Sequence, residues 1–514
     1  MAQKAEYQIN NKRIAKNTFY LYLRMLMVMV VSLFTVRVVL NALGAEDYGI
    51  NNVVGGFVAM FSFLTSTLNS ASLRFFSYYI GKNDQEKLSG YFTMSFWCFL
   101  LLASIIALIA EPLGVWFVQN KLTIPEARMN AAMVVLHISI LSFVVRVLLV
   151  PFNAIVIAHE KMNMFAILGV IECFLKLGVA YIINVSPLDK LITYSVLLLF
   201  MTSAIDIFYI VYDLKSFPEC RIKRYWNSVV FKEIVNFSGW SLFGAISGVI
   251  RSQGINILLN MFFNPIVNAA RAIAFQVNTQ INQFVLNFYK AVQPQITKSY
   301  GAGDLISMHS LVYRSSRLCY FLILLLSIPV LLETDYLLTL WLKNVPQNTV
   351  LFTKLVVITA IIDSTSYPLQ TCISATGRIK LFQIITGGLL ILNLPISYAF
   401  LKMGYPPEIT MYVAIGISFI AQVSRLLFVR NYVHLSLSIY INQVLLPIII
   451  VTLLSIIPPS LLHSVMDESI FRFICVVLVS LLSTCLFVWL LGMKKSEREV
   501  ISKAILSKIR SRYK

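Results

Sequence analysis

Basic side chains inside long apolar segments are the residues of this chain most able to bind a ligand. Ten arginines and lysines lie within such segments, against three carboxylates at Glu172, Asp206 and Asp363. A charge placed in the hydrocarbon of a membrane is costly, so it usually faces a protein interior or a wet cavity and serves function. The excess of positive charge suits an anionic ligand, because a planar guanidinium matches the oxygens of a phosphate.

The position of each cation within its segment separates structural from functional candidates. Three cations near segment ends are expected to reach toward the lipid headgroups, namely Lys354, Arg425 and Arg472. Glu172 and Lys176 are spaced i,i+4 and are expected to neutralise each other. A structural role is also slightly favoured for Arg37, which has the same spacing to Asn41. The remaining cations are candidates for ligand binding: Arg24, Arg146, Arg251, Arg271 and Lys290.

The eighth apolar segment is unusually polar. One helical stripe holds Asn268, Arg271, Phe275, Asn278, Asn282 and Tyr289, and the adjacent stripe holds Gln276, Gln280, Gln283, Asn287 and Lys290. Each unpaired amide in hydrocarbon costs on the order of 1–3 kcal/mol or more, so this side cannot face lipid. Amide contacts between membrane helices contribute only about 0.6 kcal/mol each. A water-filled path lined by Asn278, Asn282, Gln276, Gln283 and Asn287 is therefore the favoured interpretation.

Several other kinds of chemistry are not indicated. The seven cysteines and five histidines have no metal-ligand spacing, and the glycine-rich stretches carry no phosphate-loop signature. No catalytic residue and no metal site are predicted. The net charge of +19 is spread along the chain rather than gathered in a block, so charge bias across a membrane explains it better than nucleic-acid binding.

The elements that must position these residues are membrane-spanning helices. The chain has 514 residues, of which 58% are hydrophobic and 13% charged, whereas a soluble protein carries about 25% charged residues. The first apolar run is too long for a signal peptide and is predicted to be retained. Fourteen spans are predicted near 17–41, 49–72, 91–117, 129–152, 163–184, 191–212, 236–260, 266–292, 318–338, 350–373, 381–401, 409–430, 441–461 and 470–492.

The lysines and arginines between the spans predict their orientation. With the amino terminus inside, the inner segments and the carboxy-terminal tail hold 27 of them and the outer loops hold 5. An even number of spans places both termini in the cytoplasm. The basic tail is expected to lie on the anionic inner leaflet.

An internal repeat organises the spans. "PFNAIVIAHEKMNMF" from Pro151 and "PLQTCISATGRIKLF" from Pro368 share several residues at one offset, and "YIGKND" aligns with "SYGAGD". The repeat predicts two six-helix lobes in parallel orientation, at 1–213 and 214–434, as in many transporters. Two further helices at 435–493 and a basic cytoplasmic tail at 494–514 complete the prediction. The fold class is an all-α polytopic membrane protein.

Two blocks carry a resemblance to a known family. "TVRVVLNALGAEDYGINNVVGG" (residues 35–56) and "LLNMFFNPIVNAARAIAFQVNTQINQF" (residues 258–284) with "PQITKSYGAGD" resemble the O-antigen-type flippases of polysaccharide biosynthesis. These belong to the multidrug/oligosaccharidyl-lipid/polysaccharide (MOP) exporter superfamily. The resemblance implies a twelve-helix core of alternating access whose first, seventh and eighth helices line the cavity. It thereby favours Arg24, Arg251, Arg271 and Lys290 as substrate-binding cations, with Arg37, Arg146 and Asp206 as secondary candidates.

The expected function is a flippase of the bacterial inner membrane. The substrate class implied by the resemblance is an undecaprenyl-pyrophosphate-linked oligosaccharide, a repeat unit of O-antigen, lipopolysaccharide, capsule or exopolysaccharide. No cofactor is expected, although transport could be coupled to a proton or sodium gradient. The expected partners are membrane lipids and other polysaccharide-assembly proteins. The alternatives are a cation-coupled multidrug exporter of the same fold, a membrane-embedded polysaccharide polymerase or glycosyltransferase, and a non-transporting scaffold.

Overall fold

The computed structural model describes residues 2–59, 61–122, 124–223, 226–263, 265–342, 345–495 and 497–499. Within these residues the chain is helical almost throughout and contains no strand. The helices are α1 (Ala2–Ala59), α2 (Ser62–Gly81), α3 (Gln85–Lys121), α4 (Glu126–Ala158), α5 (Met162–Val185), α6 (Lys190–Ser216), α7 (Ser228–Phe262), α8 (Pro265–Gly301), α9 (Leu305–Leu332), α10 (Thr334–Leu342), α11 (Thr349–Ser364), α12 (Ser366–Thr376), α13 (Lys380–Lys402), α14 (Ile409–Val433), α15 (Leu437–Tyr440), α16 (Leu446–Val465) and α17 (Ile470–Phe487). A 3₁₀ turn follows α6 at Pro218–Cys220, and π-turns occupy Ile441–Leu445 and Val488–Gly492.

The predicted polytopic all-α class is confirmed. Among the described residues, eleven helices are long and apolar enough to cross a membrane. Two bent pairs, Glu46–Val58 with Phe63–Gly81 and Thr349–Ser364 with Ser366–Thr376, raise the number to thirteen. Helix α8 has 37 residues and is long enough to cross a membrane, but its amides make it less apolar than the helices counted above. The sequence predicts α8 as the eighth span, and with it the total would be fourteen.

The ends of these helices follow from local sequence. Gly44 has φ +80° and breaks α1, so the first span ends there and the second begins at Glu46. Asp84 caps α3 by accepting the Lys87 amide at 3.1 Å, and Asp304 caps α9 by accepting the Ser307 amide at 2.9 Å. Because of that cap, α9 begins at Leu305 rather than near residue 318, and it ends at Leu332 before the separate helix α10.

The chain divides into two compact units. The amino-terminal unit comprises Ala15–Leu242 and Thr297–Gly303, and the carboxy-terminal unit comprises Met1–Ile14, Phe243–Ile296 and Asp304–Lys514. The division falls inside α7 and near the end of α8. The lobe boundaries drawn from the repeat, at 213/214 and 434/435, stay predictions. Most of the predicted tail 494–514, including residues 500–514, lies outside the described residues.

Within the carboxy-terminal unit, buried ion pairs attach the last span and the segment after it to α9 and its carboxy-terminal end. Arg472 on α17 bonds Glu333 at 3.0 Å, and Arg317 on α9 bonds both oxygens of Glu497 at 2.7 Å. Glu333 and Arg317 are 1% and 2% exposed, so each pair is out of water. The expectation that Arg472 reaches the headgroups is therefore wrong, because a buried carboxylate holds it.

Candidate functional site

A polar pocket of about 310 Å³ lies within the carboxy-terminal unit. It is enclosed by α7, α8 and the helices from α11 to α14. Apolar side chains such as Ile255, Phe275, Val356 and Met411 form part of its wall. Its polar lining includes two arginines, one carboxylate and several neutral groups: Arg251, Arg271, Asp363, Ser252, Asn278, Asn282, Thr359, Tyr367, Asn393 and Thr410.

Arg271 is the most constrained cation of the pocket. It is 6% exposed, and its guanidinium lies 4.3 Å from the centre of the Phe275 ring one turn along α8. One terminal nitrogen donates to the side-chain oxygen of Asn256 on α7. The Nε atom is buried and has no hydrogen-bond partner among the described residues. The arginine is thus held in place with a donor still available.

Asp363 is the carboxylate of this pocket, and two arginines act on it. Arg425 on α14 lies 3.9 Å away, and Arg251 interacts with Asp363 electrostatically. The hydroxyl of Ser418 donates to Asp363 at 3.3 Å. Arg425 is 6% exposed, and its Nε has no hydrogen-bond partner in the described part of the chain. The expectation that Arg425 reaches the headgroups is wrong, since α14 carries it into the protein interior.

Part of the polar stripe of α8 faces this pocket. Asn282 donates to the side-chain oxygen of Asn278 at 2.8 Å, and the Tyr367 hydroxyl donates to Asn282 at 3.5 Å. These three residues therefore form a hydrogen-bonded row on the pocket wall. They satisfy one another in part and keep further donors and acceptors for a ligand.

The structure does not bring the other predicted α8 residues to the pocket lining. Gln276, Gln283 and Lys290 are exposed, and Asn287 is buried with its amide bonded to the Gln283 carbonyl at 2.9 Å. Lys290 follows Arg271 by 19 residues, a distance of about 28 Å along an α-helix. Arg251, Arg271, Asn278 and Asn282 are thus gathered in one place, and the other four are not.

A second cluster of charges lies in the amino-terminal unit. Arg24 on α1 lies 4.4 Å from the centre of the Phe165 ring, beside Gly169 on α5. Lys176 bonds Glu172 at 2.7 Å, as their spacing predicts, and Arg146 approaches Glu172 to 3.8 Å. Asp206 interacts electrostatically with Arg146 and Glu172. Arg37, by contrast, is exposed.

Sequence reasoning missed several residues of the pocket. Tyr367 and Asn393 come from bent or apolar helices, where a single polar residue carries no periodic signal. Asn256 could not be identified from the sequence, because its role depends on a contact between α7 and α8, in which it accepts a hydrogen bond from Arg271. Asp363 could have been found from the sequence, because it is one of three carboxylates inside predicted spans. The structure places it in the pocket lining.

Comparison with solved structures identifies the architecture. A multidrug-resistance MATE family transporter of the MOP superfamily, in an outward-facing conformation, is similar with a TM-score of 0.70 at 14% identity. The match covers 83% of this chain and 96% of that one. A MATE in complex with MaD3S gives the same values. The chain has the MATE fold.

The same fold is found in a MOP superfamily transporter from Pyrococcus furiosus Vc1, described by the reverse polarity of its binding pocket. Its TM-score is 0.69 at 14% identity, covering 82% of this chain and 96% of that one. No family model and no curated protein matches the sequence of this chain. The MATE fold consists of two lobes related by a pseudo-repeat, which confirms the two-lobed class predicted from the internal repeat.

Proposed function

We propose that this protein is a flippase that carries lipid-linked oligosaccharides by their pyrophosphate group. The observation that carries the proposal is the charge of the pocket in the carboxy-terminal unit. Two arginines and one aspartate line it, and the buried Arg425 lies next to that aspartate. The balance is positive, so an anion is the ligand that this environment stabilises.

Unused hydrogen-bond donors support the same ligand. In the described part of the chain, Arg271 Nε, Arg425 Nε and Asn393 Nδ2 are buried without a partner. Each buried donor left unsatisfied costs roughly 1–3 kcal/mol. A pyrophosphate brings several acceptor oxygens, and the flat guanidinium of Arg271 can offer two parallel bonds to two oxygens of one phosphate group.

The neutral part of the pocket suits a sugar. Asn278, Asn282 and Tyr367 present amide and hydroxyl groups beside the apolar ring of Phe275. The volume of about 310 Å³ is at the lower end of ligand pockets, which span about 300–1,000 Å³. It suits the pyrophosphate and the first sugar, while the rest of the glycan and the undecaprenyl chain extend beyond it. The inner-membrane location, the cytoplasmic termini and the assembly partners belong to this proposal.

A cation-coupled multidrug exporter is the second candidate, because one similar solved structure is described as a multidrug-resistance MATE transporter and Asp363 lines the same pocket. A cationic drug would need Asp363 as its counter-ion. Arg251 and Arg425 already act on that carboxylate, and they would repel a cation. The anionic ligand is therefore favoured.

The test measures ligand binding by the purified full-length protein in detergent. The probes are undecaprenyl pyrophosphate, undecaprenyl pyrophosphate with an attached oligosaccharide, and a cationic dye. Arg271→Gln and Arg251→Gln should each weaken pyrophosphate binding about tenfold to a hundredfold, the equivalent of roughly 1.5–3 kcal/mol. Arg271→Lys should retain part of the affinity, since charge persists while the two-pronged geometry is lost.

Lys354→Gln is the matched control, because Lys354 is a partly exposed cation on α11 of the same unit that pairs with Asp335. It should bind like the wild type. Asp363→Asn distinguishes the two candidates: it should preserve or strengthen pyrophosphate binding, whereas it would abolish binding of a cationic drug. Tight dye binding that depends on Asp363, without binding of the pyrophosphate lipid, would reject the flippase.

A further inference from the structure

A buried carboxylate without a partner lies near the end of α6 in the amino-terminal unit. Asp213 is 0% exposed, and neither of its oxygens has a hydrogen-bond partner among the described residues. An ionised carboxylate in such a place would lose its hydration without compensation, which is among the most costly arrangements in a protein. The group must therefore be neutral or hold a positive charge.

A neighbouring carboxylate makes ionisation of Asp213 still less favourable. Glu219, on the 3₁₀ turn after α6, is 2% exposed and interacts electrostatically with Asp213. His159 at the end of α4 contacts one oxygen of Glu219 at 2.5 Å, and Gln85 on α3 donates to the other at 2.7 Å. Although burial alone favours the neutral acid, these bonds outweigh it and lower the pKa of Glu219. Glu219 is thus an anion beside Asp213.

In the described part of the chain, Cys220 and Tyr209 also interact with Asp213, and neither carries a positive charge. Burial raises the pKa of the Cys220 thiol, and the charge of Glu219 acts in the same direction, so Cys220 stays neutral. Tyr209, one turn earlier on α6, is also neutral at physiological pH. Among the described residues, no group of three or more His, Cys, Asp and Glu side chains is arranged to hold a metal ion. A proton is the remaining cation that fits.

We propose that Asp213 is a proton-binding site of this protein. Asp206, Tyr209 and Asp213 follow one another at i, i+3 and i+7, so they lie on one face of α6. Tyr209 is buried and interacts electrostatically with both aspartates and with Arg24. Tyr209 is therefore a neighbour of Asp213 as well as of the charged groups Asp206 and Arg24. The proposed topology places this end of α6 at the cytoplasmic side, where a proton-driven transporter takes up or releases its proton.

This inference goes beyond the proposed function, and its test needs no substrate. Infrared spectra of the full-length protein in detergent are recorded while the pH is stepped from acidic to alkaline. A carbonyl band of a protonated carboxylic acid should persist at neutral pH in the wild type and disappear in Asp213→Asn. Asp304→Asn, which changes an exposed capping aspartate, should leave the band unchanged.

A second variant tests the environment rather than the group itself. Glu219→Gln removes the neighbouring anion, so Asp213 should lose its proton at lower pH and the band should titrate at lower pH. If Asp213→Asn does not accumulate, Asp213→Ser serves in its place, and Glu219→Gln gives an independent answer. A wild-type spectrum without the band at neutral pH, or a band unaffected by both changes, would overturn the proposal. A band that responds to sodium concentration instead of pH would also overturn it.

Discussion

Arg24 lies across α5 because position 169 has no side chain. A Cβ atom at Gly169 would stand 2.2 Å from the Nε atom of Arg24 and 3.0 Å from its Cδ atom. Since those atoms belong to a flexible side chain, Arg24 can move aside, and the backbone need not. The absence of a side chain at Gly169 therefore makes room for the Arg24 side chain and is not needed for the helix backbones to approach.

Gly169→Ala should displace Arg24 while leaving the unit folded. We expect the thermal unfolding midpoint to stay near that of the wild type, with a reduced rate of pyrophosphate-lipid transport in reconstituted vesicles. Gly178→Ala is the matched control on the same helix, because nothing lies within 4 Å of a Cβ there. It should transport normally and be neutral or more stable by up to about 1 kcal/mol. Equal transport by the two variants would show that the position of Arg24 is unimportant.

Arg128 joins two aspartates of the amino-terminal unit, Asp47 near the start of the second span and Asp189 at the start of α6. It donates to Asp47 at 2.8 Å and to Asp189 at 2.5 Å. Asp189 also caps α6 by accepting the amides of Leu191 and Ile192 at 3.0 Å each. Partial burial opposes ionisation of Asp189, but the Arg128 bond and these amides outweigh it and lower the pKa of Asp189.

This shift predicts a loss of stability in acid. A carboxyl group whose pKa is lowered on folding stabilises the folded state above its unfolded pKa, about 3.9 for aspartate, and stops doing so as the pH falls through its folded pKa. The difference in unfolding midpoint between the wild type and Asp189→Asn should be constant above about pH 5 and should shrink below about pH 4. Asp467→Asn, in an exposed loop, should show no such difference. A gap that persists at the lowest pH would contradict the prediction.

At the scale of elements, α2 and the end of α8 approach until their backbones touch. A Cβ at Gly81 would lie 2.1 Å from the carbonyl oxygen of Lys298, and a Cβ at Gly301 would lie 2.2 Å from that of Tyr78. Lys298 also bonds the buried Glu160 at 2.7 Å. The two glycines are the residues that the internal repeat aligns, and each packs against the other copy's helix within the amino-terminal unit. The two aligned glycines therefore make equivalent contacts, each with the backbone of the helix that carries the other.

Gly81→Ala and Gly301→Ala should each force these helices apart, since the obstacle is backbone and cannot rotate away. We expect a loss of about 1–3 kcal/mol, typical of overpacking, and measured as a lower unfolding midpoint. Gly239→Ala, on the part of α7 in the same unit and with nothing within 4 Å, is the control and should be neutral or stabilising. Similar midpoints for all three variants would mean that α2 and α8 separate without cost.

Helix α8 can be recognised from its polar stripe, and the structure shows which part of that stripe lines the pocket. Its polar stripe predicts a span that lines a cavity, although the helix is less apolar than an ordinary membrane-spanning helix. The pocket uses Arg271, Phe275, Asn278 and Asn282, which lie within about three turns of one another. Gln283, Asn287 and Lys290 lie outside the pocket lining, because a helix of 37 residues is far longer than one pocket.

At the scale of the whole molecule, the fourteen-span arrangement makes a topology prediction. In a variant with few native cysteines, single cysteines at Asp47 and Asp467 should react with an impermeant reagent from outside. Cysteines at Lys87 and Lys161 should react from inside, because the lysines and arginines concentrate in those segments. Arg224 and Lys514, which lie outside the described residues, are predicted to be inside as well. Labelling of Lys87 and Asp47 from the same side would reject the model.

The sequence by itself determined the helical membrane class and the existence of two copies of one unit, while the number of fourteen spans stays a prediction beside the eleven to thirteen found among the described residues. Each of these rests on a regular signal: apolar runs about 20 residues long, the alternation of charge between them, and a nearly constant offset between aligned residues. It also singled out Arg251, Arg271, Asn278 and Asn282, because polar groups inside apolar segments stand out one by one.

Tertiary structure decided which of these polar groups meet. Arg425 and Arg472 lie near the ends of predicted spans, so the sequence predicts that they reach the lipid headgroups. Packing instead places each beside a carboxylate from a distant segment of the chain. Likewise Asp213 is distinguished by its complete burial and by the lack of a hydrogen-bond donor to its side chain among the described residues. The energy of a charge depends on its partners and its solvent, and both are set by residues far away in the chain.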